Sequence, residues 1–99
     1  MHLQKYVYVL RDELNRVKLG ITVDVPRRTS QISHASGLKI HQYYATFCSN
    51  APFVEKKLLE YFDDFRLLNS EWLATGVDFN RVVNKLKEYA EDEDHGSFR

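Results

Sequence analysis

One stretch, 6-YVYVLRDELNRVKLGITVDVPRR-28, constrains the fold more than any other part of the chain. Its side chains alternate with period two. Val7 and Val9 fall on one side of a first segment, and Tyr6, Tyr8 and Leu10 on the other. In a second segment Val17, Leu19 and Ile21 alternate with Arg16, Lys18, Gly20 and Thr22. Alternation of this kind marks half-buried strands. The polar connection Asp12-Glu13-Leu14-Asn15 has hairpin length. Asp24 then offers a helix N-cap, and Pro26 is tolerated in a first turn, where its missing N–H costs nothing. The stretch therefore predicts a β-hairpin running into a helix.

Its polar residues limit what the hairpin can be for. Pairing Tyr8 opposite Lys18 would put a phenol and an ammonium on one face, a few ångströms apart. On the helix, at about 100° per residue, Arg28 shares a face with Val25, Ile32 and Ala35, whereas Arg27 points to solvent. An arginine aimed inward needs an anionic partner, a carboxylate or a phosphate.

The rest of the chain extends the pattern. The first helix is expected over about 25–36, ending at Gly37. A third strand, 38-LKIHQYYATF-47, is rich in aromatic and β-branched residues. Ser49 or Asn50 caps a second helix over about 52–64, with Pro52 in its first turn. An irregular stretch, 65–76, leads to a last helix from near Asp78, whose apolar residues Phe79, Val82, Val83, Leu86 and Tyr89 recur at helical spacing. The fold class is α+β: a small antiparallel three-stranded sheet flanked by helices in the order β-β-α-β-α-α. Residues 1–90 form one domain, and an acidic tail from Glu91 is expected to fray.

The second helix carries one anomaly. Glu55 lies inside the apolar arc formed by Val54, Leu58, Leu59 and Phe62. A carboxylate placed there needs a cation, a metal or a proton. A buried ion pair with Arg28 is the purely structural way to satisfy both residues.

Tyr6-Val7-Tyr8, then Lys18-Leu19-Gly20-Ile21-Thr22, then Arg28 eight residues after the glycine, resembles the GIY-YIG nuclease family. Lys18 stands where the second motif tyrosine would be, as in some branches of that family, and Tyr6 where the first glycine would be. Glu71-Trp72-Leu73 resembles a signature of a compact phage and bacterial branch often described as DNA-binding; read from the residues alone, Trp72 is a core anchor closing one end of the domain. The resemblance implies a metal-dependent endonuclease that hydrolyses DNA phosphodiesters. It implies that Glu55 is the single protein ligand of a divalent metal, Mg²⁺ or Mn²⁺, and that Asn69 is the polar residue following it.

The chemistry assigns the remaining roles. Arg28 can clamp the scissile phosphate bidentately. Tyr8 is the candidate general base or water-positioning group, and Lys18 supports it or holds the phosphate. Tyr6 shares Tyr8's face. Tyr6, Arg27, His34 and His41 are the candidate substrate-binding residues.

Charge divides unevenly along the chain. Residues 1–47 carry seven Lys/Arg and three Asp/Glu (7 − 3 = +4), and residues 48–99 carry seven and eleven (7 − 11 = −4). The basic half holds the motif, which suits a phosphate-rich partner such as DNA. Cys48 is alone, so no disulfide framework and no thiolate metal site is expected. No apolar run has the length of a membrane span, and the start lacks a signal-peptide pattern, so a cytoplasmic location is expected. The alternative function is a non-catalytic DNA-binding or protein-interaction module on the same fold. With no separate recognition domain, specificity would come from this surface, from self-association or from a partner protein.

Overall fold

The computed structural model describes residues 5–67, 72–73 and 76–95, with the backbone alone for 93–95. In these residues four strands, β1 (Lys5–Asp12), β2 (Val17–Thr22), β3 (Ile40–Cys48) and β4 (Trp72–Leu73), form one antiparallel sheet in the order β3-β1-β2-β4. Among the described residues three helices, α1 (Val25–Ser36), α2 (Ala51–Tyr61) and α3 (Phe79–His95), complete an α+β domain.

Alternation along β1 divides the protein into two layers. Val7, Val9, Val17 and Leu19 pack against Ala51, Val54, Leu58 and Phe62 of the α2 segment and Phe79, Val82, Val83 and Leu86 of α3. Full burial of a side chain such as Leu58 contributes about 2 kcal/mol, so this layer holds most of the stabilising area. On the opposite face Tyr8, Leu10 and Ile32 of α1 form a smaller cluster, with Ile40, Ala45 and Trp72 around it.

Local signals set the helix ends. The Asp24 side chain accepts from the Arg27 N–H at 3.1 Å. Gly37 ends α1 at φ 71° and donates its N–H to the Ser33 carbonyl at 2.9 Å. Of the two expected caps for α2, Asn50 is the one used, accepting from the Phe53 N–H at 3.3 Å.

The hairpin closes differently from the sequence expectation. β1 continues to Asp12, which is fully buried. Its carboxylate accepts from the backbone N–H groups of Leu14 (2.9 Å) and Arg16 (3.0 Å) and from Arg16 Nε (2.9 Å). Asn15 takes the left-handed conformation, φ 62°, that closes the turn. As a result Tyr8 pairs with Gly20, and Lys18 with Leu10. Tyr8 and Lys18 are therefore diagonal neighbours rather than direct partners. A two-residue shift preserves the face, so both remain on the α1 side.

Three further elements differ from the sequence expectation. The stretch expected to be irregular contributes β4, a fourth strand held by Val17↔Leu73 and Lys18↔Trp72 pairing. α2 stops at Tyr61, and Asp63–Phe65 form a separate 3₁₀ turn. α3 continues to His95, through acidic residues expected to begin a frayed tail. No helix among the described residues is long and apolar enough to cross a membrane.

Candidate active site around Tyr8 and Arg28

Tyr8 lies in the middle of β1, and its ring extends sideways over β2. The position it covers is Gly20, where an added Cβ would overlap the phenol oxygen and Cζ. A glycine inside a strand weakens it unless something must approach the backbone closely. Here the approaching group is the Tyr8 ring, which is almost wholly buried.

α1 brings the guanidinium to the same place. Arg28 is half-buried and Arg27 exposed, as the helical spacing predicts. Arg28 donates from Nε to the Tyr8 hydroxyl oxygen at 3.4 Å, a long hydrogen bond that fixes their proximity. Among the described residues Arg28 forms no ion pair with a carboxylate, so the pair with Glu55 that would have made both residues purely structural does not form.

Lys18 extends the basic character of this face. It is 8% exposed, deep for a lysine. Its Nζ lies 5.2 Å from the centroid of the Trp72 ring, and the Arg16 guanidinium carbon lies 4.6 Å from the same centroid. Both cations lie over the negative face of the indole. Trp72, read from the sequence as a core anchor, is half-buried, packs against the Tyr8 cluster and also presents its ring to these cations. Arg16 is held there by its 2.8 Å ion pair with Asp12.

The other predicted residues are placed as follows. Glu55 is half-buried on α2, one residue beyond the fully buried Val54, and its Oε2 atom is fully buried. The apolar residues of α2 pack on the sheet face opposite Tyr8. Tyr6 is half-buried on the Tyr8 face, edge-on to Phe47 with centroids 6.1 Å apart. His34 is exposed on α1. His41 is exposed as the extra residue of a β-bulge, because Arg11 faces Gln42 whereas Asp12 faces Ile40. Asn69 and Glu71 lie outside the described residues.

The donor set bears on which metal could bind. No three His, Cys, Asp or Glu side chains gather among the described residues. A tetrahedral zinc site therefore does not fit them. A hard cation that keeps most of its waters needs as little as one protein carboxylate, and Glu55 is the candidate the sequence offers for it.

Sequence reasoning missed two features of this face. Gly20 enters the sequence reading only as a motif residue, although a glycine inside an alternating strand is itself a signal of close approach. The second is a cleft beside Ala45, between Tyr6 and Tyr43.

Comparison with curated proteins gave no match, and comparison with solved structures gave none. A family profile does match, over residues 5–91. That range takes in both strands of the hairpin, α1 with Arg28, α2 with Glu55 and most of α3. The family occurs in phage proteins and is associated with a GIY-YIG-like nuclease fold. The chain that lays Tyr8 over Gly20 and brings Arg28 to its hydroxyl belongs to the T5orf172 domain family.

Proposed function

We propose that this protein is a metal-dependent DNA endonuclease that hydrolyses phosphodiester bonds. The observation that carries the reading is the Arg28–Tyr8 contact: a half-buried guanidinium at a phenol oxygen, with no described carboxylate neutralising it. Family membership supports a nuclease or DNA-binding role of this general kind.

Each residue has a stated task. Arg28 binds the scissile phosphate through its planar fork of N–H donors. Placed at the phenol oxygen, it also holds the Tyr8 hydroxyl where it can orient the attacking water. Lys18 adds positive charge on the same face. Glu55 is the residue that would hold Mg²⁺ or Mn²⁺, and Asn69 is the polar residue that the resemblance places after it in the chain. When bound, such a cation neutralises phosphoryl charge and favours departure of the leaving oxygen. Arg27, exposed one residue before Arg28, is suited to a flanking phosphate. His34 and His41, both exposed, are assigned to the DNA-facing surface.

The alternative is a binding module that uses the same basic face without cutting. Plasmid cleavage with Mg²⁺ or Mn²⁺, run beside Glu55→Ala, decides between them. Binding without cutting under either metal removes the nuclease reading. Cutting that Glu55→Ala abolishes, in a folded variant, upholds it.

A further inference from the structure

β3 is an edge strand, and its α1-side face carries exposed aromatic residues. Tyr43 is 58% exposed and Phe47 47% exposed. Between them in the alternation sits Ala45, a small residue. Tyr6, Tyr43 and Ala45, together with Val25 and Pro26 from the start of α1, line an open cleft of about 460 Å³. Its volume lies within the range of small-molecule sites. Two tyrosines flank it, and a methyl group lies between them.

The cleft adjoins the candidate active site. Ala45 is the direct cross-strand partner of Tyr8. The Tyr8 ring leans the other way, over Gly20 on β2. The cleft and the Arg28–Tyr8 contact are thus about two strand spacings apart, roughly 10 Å, within the span of one or two nucleotides. Cations follow the cleft's α1 wall in the chain. Residues 25–48 contain Arg27, Arg28 and Lys39 and no Asp or Glu. Asp24 also lines the cleft, but its carboxylate is committed to capping α1.

We propose that this cleft receives an unpaired nucleobase stacked against Tyr43 and Tyr6, so that the substrate is DNA with at least one unpaired nucleotide next to the phosphate held at Arg28. This rests on the reading of the Arg28–Tyr8 pair as a phosphate site and adds a substrate class to it. Intact duplex buries its bases, and only an unpaired or flipped base exposes a ring face for stacking. Arg27 and Arg28, directly after the lining residue Pro26, favour a polyanion over a second copy of the chain.

The test is a binding measurement that does not depend on cleavage. Fluorescence anisotropy at fixed salt and without metal compares a labelled single-stranded oligonucleotide with the same sequence as a duplex. Tyr43 is exposed, so Tyr43→Ala leaves the core intact. The expected result is preferential single-strand binding by the wild type, and a loss of about tenfold in Tyr43→Ala, the scale of one lost base–aromatic stack. Duplex binding stays within about twofold, and Tyr43→Phe restores the wild-type value. Unchanged single-strand affinity in Tyr43→Ala overturns the proposal, as does an equal loss on both substrates. Sedimentation at the same concentrations covers the other occupant: a wild-type dimer that Tyr43→Ala dissociates overturns the proposal in favour of self-association. A Tyr43 effect in a protein that cuts nothing leaves the cleft standing and removes catalysis. Cutting that ignores both Tyr43→Ala and unpaired bases does the reverse.

Discussion

The Tyr8 ring occupies the space that Gly20 leaves by having no side chain. This relationship lets a tyrosine in the middle of a central strand cross to its neighbour and meet Arg28. Gly20→Ala must push the ring aside, and burial leaves it little room. The expected cost is about 1–3 kcal/mol, read as a lower urea midpoint. Any cleavage activity should fall as well, because Tyr8 leaves Arg28. A Gly20→Ala protein with the wild-type midpoint would show that the ring moves freely.

Arg28→Lys keeps the charge and loses the planar fork. DNA affinity should fall only modestly, whereas cleavage should drop by about a hundredfold or more. Arg28→Ala should weaken both, and the slope of log affinity against log salt should become shallower by about one. Binding isotherms at several salt concentrations, beside single-turnover cleavage, separate the two variants. Equal cleavage by Arg28→Lys and wild type would remove the bidentate role.

Glu55→Gln preserves shape and removes one negative charge. Cleavage with Mg²⁺ or Mn²⁺ should fall at least about a hundredfold, the scale of losing one charge-stabilising group. DNA affinity measured without metal should be unchanged or slightly tighter. A folded Glu55→Gln protein that cuts at the wild-type rate would show that the metal is held elsewhere.

Asp12→Ala tests the hairpin. It removes the acceptor for two backbone N–H groups and for Arg16. Because Arg16 is partly exposed and can hydrate, the expected loss is about 2–3 kcal/mol, below that for a fully buried pair. The urea midpoint should fall with an unchanged slope. A loss under about 0.5 kcal/mol would mean that the turn forms without this carboxylate.

The sequence by itself determined which residues share a face. Period-two alternation put Tyr6, Tyr8 and Leu10 together on β1 and Lys18 and Gly20 together on β2. Asp24 and Gly37 marked both ends of α1, and helical spacing turned Arg28 inward and Arg27 outward. These are local properties, set by the geometry of one strand or one helix.

Only the tertiary structure decided what lies opposite what. The Asp12–Arg16 closure moved the hairpin register by two residues, so Tyr8 meets Gly20 instead of Lys18. Register depends on how a turn closes, and alternation is blind to a shift of two. β4 has two residues, too few to show a period, and it exists because β2 offers an edge to Trp72 and Leu73. The cleft between Tyr6 and Tyr43 joins side chains far apart in the chain, which β1–β3 pairing brings to one face. Composition and spacing reveal such residue types, but only strand pairing makes them neighbours.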